Sequence, residues 1–316
     1  MKISEASLKG AAIIEEVEKA IVGKQPLLKK IMSAVLAGGH VLLEDYPGLA
    51  KTLIANSFAT ALGLDFKRIQ FTPDLLPGDI TGGYIFDRSE SKFVLRKGPI
   101  FANIILADEI NRASPKTQSA LLEAMQEGQV SIEGETMRLP EPFIVIATQN
   151  PIESEGTFPL PEAQLDRFIM KLSVGYPTAE EELEILSRRK SRKTDSIDLD
   201  TISDATEILD MQRTIEEVFI NPDIERYIVD ILNKTRSHGK VSVGASPRGG
   251  LSLLKLSLAQ AVMEDRDYVL PDDIKKFVEP VLAHRLILVP DLWLKKGAVE
   301  EIIENIMDSV SVPVMD

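Results

Sequence analysis

Apolar positions recur at two periods along this chain, and the change of period divides it. Residues 3–21 place Ile3, Leu8, Ala12, Ile13, Val17 and Ala20 at helical spacing with acids between them. Val22-Gly23-Lys24-Gln25-Pro26 interrupts that helix, and Pro26 suits the first turn of the next, Leu27 to Ala37. After Gly38-Gly39 the pattern shortens to an apolar strand, His40–Glu44, a Pro-Gly turn, and a helix from Leu53 to Leu62 that opens on Lys51-Thr52. Four further strands are predicted: Phe66–Phe71, Asn103–Asp108, Phe143–Thr148 and Phe168–Leu172. Several are apolar on both faces and separated by helices, the mark of a parallel α/β sheet. A loop and short helix (72–81) lead to a hairpin whose arms, Tyr84–Asp87 and Lys92–Arg96, flank a polar tip. Ser114 caps a helix that starts at Pro115 and runs through Met125. A second hairpin turns at Glu133-Gly134.

After Tyr176-Pro177 the strand pattern ends. Helical periods follow at 180–190, 201–212, 222–237, 247–265 and 271–284, with no clear strand among them. The tail has an apolar segment at 286–289 and an amphipathic helix at about 298–308. Two domains are therefore expected: an α/β core over 1–177, and a helical domain with its tail over 178–316.

Composition narrows the function. The chain has 316 residues, 44% hydrophobic and 27% charged, in the range of globular proteins. Its 36 basic and 49 acidic residues give a net charge of −13, which argues against a protein that coats nucleic acid. The basic run Arg188–Lys193 reads as a solvated helix end. There is no cysteine, which fits a reducing compartment, and three dispersed histidines do not suggest a metal site. No membrane span and no signal peptide is predicted, so the expected location is cytoplasmic.

The candidate chemistry lies at the strand ends. Strand, tight turn and helix around Asp45-Tyr-Pro-Gly-Leu-Ala-Lys-Thr52 have the anatomy of a phosphate-binding loop. In such a loop Lys51 reaches the outer phosphates and the Thr52 hydroxyl holds Mg²⁺. The match is partial, because a strict loop would carry glycine at Asp45 and Ala50. Asp108-Glu109 ends an apolar strand and so stands at the C-terminal edge of a parallel sheet, where α/β ligands bind. There Asp108 can hold Mg²⁺ and Glu109 can polarise water. Asn150 ends another such strand and can donate to the γ-phosphate or orient the water, unless it serves only the turn before Pro151.

Six motifs in order, Asp45–Thr52, Asp108–Ala113, Lys116–Met125, Ala147–Pro151, Leu160–Phe168 and Ala245–Arg248, closely resemble the MoxR family of AAA+ ATPases. The resemblance covers about 20–290, and the family's own loop carries the same departures. It implies an AAA+ P-loop core with a five-stranded parallel sheet of order 5-1-4-3-2, and a C-terminal helical lid. It implies ATP with Mg²⁺, bound against Val22, Gly23, Pro47, Gly48, Leu49, Ala50, Lys51, Thr52, Leu53 and Asp108. By the same resemblance Asn150 looks like sensor 1 and Arg248 like sensor 2, reading the γ-phosphate in cis. Arg167 looks like the finger that reaches a neighbour's site, with Arg112 as a competitor. The resemblance further implies a ring, usually a hexamer, and a protein client, with von Willebrand factor A domain partners. Insertions at 72–98 and 128–142 would face the central pore. Related rings include magnesium-chelatase motors and DNA helicases, and an ATP-gated scaffold with little turnover is a third reading.

Overall fold

The computed structural model describes residues 1–46, 48–151, 156–293 and 295–313. Two helices, α1 (Ile3–Glu18) and α2 (Gln25–Leu36), precede β1 (Val41–Glu44) and α3 (Lys51–Leu62). Then come β2 (Phe66–Gln70), the short α4 (Pro77–Thr81), β3 (Gly82–Asp87), β4 (Lys92–Lys97) and β5 (Ile104–Asp108). The core continues with α5 (Pro115–Glu127), β6 (Gln129–Ile132), β7 (Glu135–Arg138), β8 (Ile144–Gln149), α6 (Glu162–Leu165) and β9 (Met170–Leu172).

Five of these strands form one parallel sheet in the order β2-β5-β8-β1-β9. Counted only among themselves they read 2-3-4-1-5, which is the implied 5-1-4-3-2 seen from the other edge. Every residue of β5 is buried, as the unbroken Ile-Ile-Leu-Ala run requires of a strand covered on both faces. Alternate side chains feed two cores. Leu43, Leu106 and Ile146 face α1, α2 and α3, while Leu42, Ile105 and Val145 join Leu121 and Leu122 of α5 and Phe168. The register aligns Glu44 with Gln149 and Gln70 with Asp108, so the chain leaves these strands at one edge. Loop, acids and asparagine share that edge for this reason.

The hairpins form as expected, β3 with β4 and β6 with β7. The β6–β7 turn uses positive φ at both Glu133 (47°) and Gly134 (88°), as two-residue hairpin turns require. The Tyr84 hydroxyl donates to Glu135 Oε2 at 2.6 Å, so the two hairpins touch.

Beyond 177 the chain builds α7 (Ala179–Arg192), α8 (Ala205–Thr214), α9 (Pro222–Ser237), β10 (Val241–Val243), α10 (Pro247–Met263), α11 (Pro271–Leu282), β11 (Ile287–Leu288) and α12 (Ala298–Ser309). Thr178 caps α7, accepting from the Glu181 N–H at 3.2 Å. The expectation of no strand in this region is corrected: β10 and β11 pair antiparallel, with Val241 opposite Leu288. Strands of three and two residues are too short to show a period in sequence. The helical region does not stand apart from the core. Ile13 of α1 and Ile31 of α2 belong to the same hydrophobic cluster as Leu256 of α10 and Phe277 of α11. Among the described residues, no helix is long and apolar enough to cross a membrane.

Candidate active site

The residues 48–53 run from the loop into the first turn of α3, whose N–H groups face the sheet edge without a side-chain cap. Ala50 adopts φ 54°, the left-handed region, and Gly48 has φ 85°. A glycine would take the Ala50 conformation without strain. Alanine costs about 1–2 kcal/mol there, so this departure keeps the loop's shape at an energetic cost. Pro47 lies outside the described residues.

Gly48, Leu49, Ala50, Lys51, Thr52, Leu53, Asp108, Glu109 and Asn150 line one cavity of about 430 Å³, together with Arg68 and Thr148. That size is in the usual ligand range, roughly 300–1,000 Å³. Beside it lies an apolar cleft of about 160 Å³, which shares Gly48, Leu49, Ala50 and Leu53 and adds Val22, Val174, Pro177 and Ile185. A polar chamber joined to an apolar slot suits a nucleotide, phosphates in one and base in the other. Gly23 turns the chain next to the slot with φ 71°, and a Cβ there would stand 1.9 Å from Glu181 Oε1 of α7. The Glu181 side chain could move aside, so it is the positive φ that favours glycine there.

The charged groups are tied to each other. Lys51 Nζ donates to the carbonyls of Asp45 (2.6 Å) and Tyr46 (3.2 Å). Burial holds its ammonium below the ordinary lysine value, against the opposing pull of Asp45, Asp108 and Glu109. Asp45 is buried, which raises its carboxyl, but bonds from the Gly175 N–H (2.7 Å) and the Ser173 hydroxyl (2.8 Å) leave it lowered on balance. It thereby pins the loop to the segment that leads into α7.

Asp108 Oδ1 accepts from the Thr148 hydroxyl at 2.6 Å, and that hydroxyl accepts from the Glu109 N–H at 2.7 Å. Asp108 Oδ2 accepts from Arg68 Nε (3.0 Å) and Nη2 (2.6 Å). Glu109 Oε2 accepts from Gln70 Nε2 (2.7 Å) and Arg112 Nη1 (2.9 Å). Glu109 also sits in the left-handed region at φ 55°, a conformation that costs about 1–3 kcal/mol and clusters at functional sites. Oxygen donors are what Mg²⁺ takes, and the Thr52 hydroxyl and the Asp108 carboxylate open on the same chamber. A cation already satisfies Asp108 Oδ2, namely the Arg68 guanidinium, so the donor set fits positive charge.

Arg167 and Arg248 are elsewhere. Neither lines the chamber with Lys51. Both line a separate cleft with Asp166, Lys255 and Arg285. Arg248 Nη1 is 3.8 Å from Asp166 Oδ2, and Arg167 Nη1 donates to the Leu122 carbonyl. The reason is the packing of α10 onto α1 and α2, which carries its N-terminus to the β9 side of the sheet. The buried Arg285 fixes this corner. Its Nε bonds Asp166 Oδ1 at 2.7 Å, and its Nη2 bonds the carbonyl of Phe168 at 2.7 Å.

Two family models match the chain: the ATPase family associated with various cellular activities over residues 40–170, and the AAA lid domain over 233–306. The chain is 42% identical to Chaperone MoxR1 of Mycobacterium tuberculosis, covering 95% of this chain and 81% of that one. The chain belongs to the MoxR family of AAA+ ATPases. It is also 49% identical to the uncharacterized protein YeaC of Bacillus subtilis, over 95% of this chain and 94% of that one. The crystal structure of a candidate ATPase from Cytophaga hutchinsonii superposes with a TM-score of 0.92 at 42% identity, covering 98% of this chain and 96% of that one.

Within this MoxR-family pocket, sequence reasoning missed Arg68, Gln70 and Thr148. Arg68 and Gln70 alternate on β2 and read as an ordinary polar strand face. The available signal was their position: they are polar residues near the C-terminal end of a strand beside Asp108.

Proposed function

We propose that this chain hydrolyses ATP with Mg²⁺ as a ring of identical subunits, and uses the cycle to remodel or mature a partner protein. The observation that carries this is the convergence of Lys51, Thr52, Asp108, Glu109 and Asn150 on one cavity from three separate segments. Lys51 and the N–H groups of the loop would bind phosphate oxygens, which replace the two carbonyls that Lys51 now holds. Val22 and its neighbours would enclose the base. Thr52 and Asp108 would hold Mg²⁺, which supplies charge neutralisation at the phosphates. Glu109 would orient and deprotonate the attacking water once it leaves Gln70 and Arg112. Asn150, buried beside the chamber, would report the γ-phosphate.

Arg167 and Arg248 stand at a different corner from the chamber, which supports their acting on the next subunit. A guanidinium supplied in trans stabilises charge on the transferring phosphoryl oxygens. The ring and the client class rest on the family resemblance, as does the choice of von Willebrand factor A domain partners. The name of the mycobacterial relative, a chaperone, supports the client reading. A cytoplasmic location fits the missing cysteines and the absence of a spanning helix among the described residues.

Steady-state phosphate release tests the proposal. Turnover should require Mg²⁺ and should vanish in Glu109→Gln, which should still bind ATP. Release from wild type no faster than from Glu109→Gln would overturn the hydrolase reading.

A further inference from the structure

The chamber carries an arginine of its own. Arg68 on β2 is the arginine that lines the cavity with Lys51, Thr52, Asp108 and Asn150. Its guanidinium makes a two-point contact with one carboxylate oxygen, Asp108 Oδ2, through Nε and Nη2. Its Nη2 also donates to Gln70 Oε1 at 2.6 Å, and Gln70 Nε2 donates to Glu109 Oε2 at 2.7 Å. A continuous chain thus runs from the metal-side acid, through arginine and glutamine, to the water-side acid. The side chain of Arg68 is half exposed, at 49%.

We infer that Arg68 is a cis phosphate-reading arginine that guards the metal position until nucleotide arrives. The argument begins from exclusion. A divalent cation on the Asp108 carboxylate and a guanidinium on its Oδ2 repel each other at contact distance, so the two compete for one group. Asp108 prefers the divalent ion because it carries twice the charge, and the guanidinium must then find another anion. The nearest new anion would be the phosphate chain in the same chamber, whose tetrahedral oxygens match the arginine fork. This inference rests on the nucleotide reading above and assigns to Arg68 both a phosphate ligand and a competing hold on the metal position.

Binding measurements separate the two. Affinities of ADP and of a non-hydrolysable ATP analogue would be measured by calorimetry across a Mg²⁺ titration, for wild type, Arg68→Ala and Arg68→Lys. In Arg68→Ala the preference for triphosphate over diphosphate should fall roughly tenfold, the worth of one charge-assisted hydrogen bond. The Mg²⁺ concentration that half-saturates analogue binding should also fall, because the competitor at Asp108 is gone. Arg68→Lys should restore part of the triphosphate preference. Arg226→Ala, an exposed arginine of α9 paired with Asp230, should leave the preference unchanged. An unchanged triphosphate preference and an unchanged Mg²⁺ requirement in Arg68→Ala would overturn the inference. Failure of wild type to bind the analogue at all would overturn instead the nucleotide reading on which it rests.

Discussion

The chamber around Lys51 and the corner around Arg167 are built in opposite ways. The chamber gathers Asp108 and Glu109 with polar side chains on strand ends, and its cations, Lys51 and Arg68, are occupied by carbonyls and by Asp108. The corner gathers Arg167, Arg248, Lys255 and Arg285 around the one acid of that cleft, Asp166. One site has acids that call for cations, and the other has more cations than it can neutralise. A group of each kind is needed for phosphoryl transfer, and one chain keeps them at separate places. The excess of each is what a second copy would satisfy. The difference also shows in rigidity: Arg285 is 3% exposed and locks the corner, whereas Arg68 in the chamber is half exposed.

The first way to break this comparison is at Arg167. Arg167→Ala should bind ATP with wild-type affinity but lose roughly 10³–10⁵ in hydrolysis rate if it serves as a finger in trans. Mixing it with Glu109→Gln should restore part of the activity, because one junction then carries an intact Arg167 and an intact Glu109. Absence of rescue at any mixing ratio would place both groups in one subunit's site.

Glu109→Gln comes next. General-base assistance is worth about 10²–10⁴ in rate, so single-turnover cleavage should slow by that much while nucleotide remains bound. The variant keeps the Gln70 and Arg112 region as an amide contact, so a fall in thermal stability is not expected. A rate within threefold of wild type would transfer the base role elsewhere.

The corner is tested through stability. Arg285→Ala removes a buried guanidinium that bonds the Asp166 carboxylate and the Phe168 carbonyl, with a cost of about 1.5–3 kcal/mol. Denaturant unfolding should show it. Arg68→Ala, by contrast, breaks a half-exposed pair and should cost no more than about 1 kcal/mol. Equal losses in the two variants would erase the contrast between a locked corner and a loose chamber.

Much of the chamber was legible in sequence because its residues sit on continuous motifs at strand ends, where period and chemistry coincide. Lys51, Asp108, Glu109 and Asn150 all arrive where the sheet edge demands. Where Arg248 stands was not legible, because its motif names a residue, not the direction in which α10 packs. That direction is set by long-range contacts of α10 with α1 and α2, which no local pattern encodes. Arg68 was invisible for a related reason: on a strand with alternating polarity, nothing local separates a site arginine from a solvated one. Asp45 read as a missing glycine, and only the fold shows it holding Ser173 and Gly175.

The last expected effect concerns pH. His40 directly precedes β1, with Nε2 bonded to the Met125 carbonyl (3.0 Å) and Nδ1 accepting from the Val145 N–H (3.0 Å). Burial pushes its pKa down to about 4, and burial likewise holds His284, at the arginine corner, well below the usual histidine value. The sign follows from linkage. Between about 4 and the ordinary value of about 6.5, the unfolded chain binds a proton at His40 that the folded chain does not. Stability from neutral His40 is thus complete above pH 6.5 and declines as pH falls toward 4, by up to about 1.4 kcal/mol per pH unit. His284 adds a decline of the same sign at the other site. Unfolding midpoints in urea at pH 7.5, 6 and 5 should fall in that order, and His40→Gln, already destabilised at pH 7.5, should show a shallower fall. A wild-type midpoint that did not fall on acidification would mean that both rings take up protons in the folded protein as readily as in the unfolded chain, and would remove the low-dielectric support assigned here to chamber and corner alike.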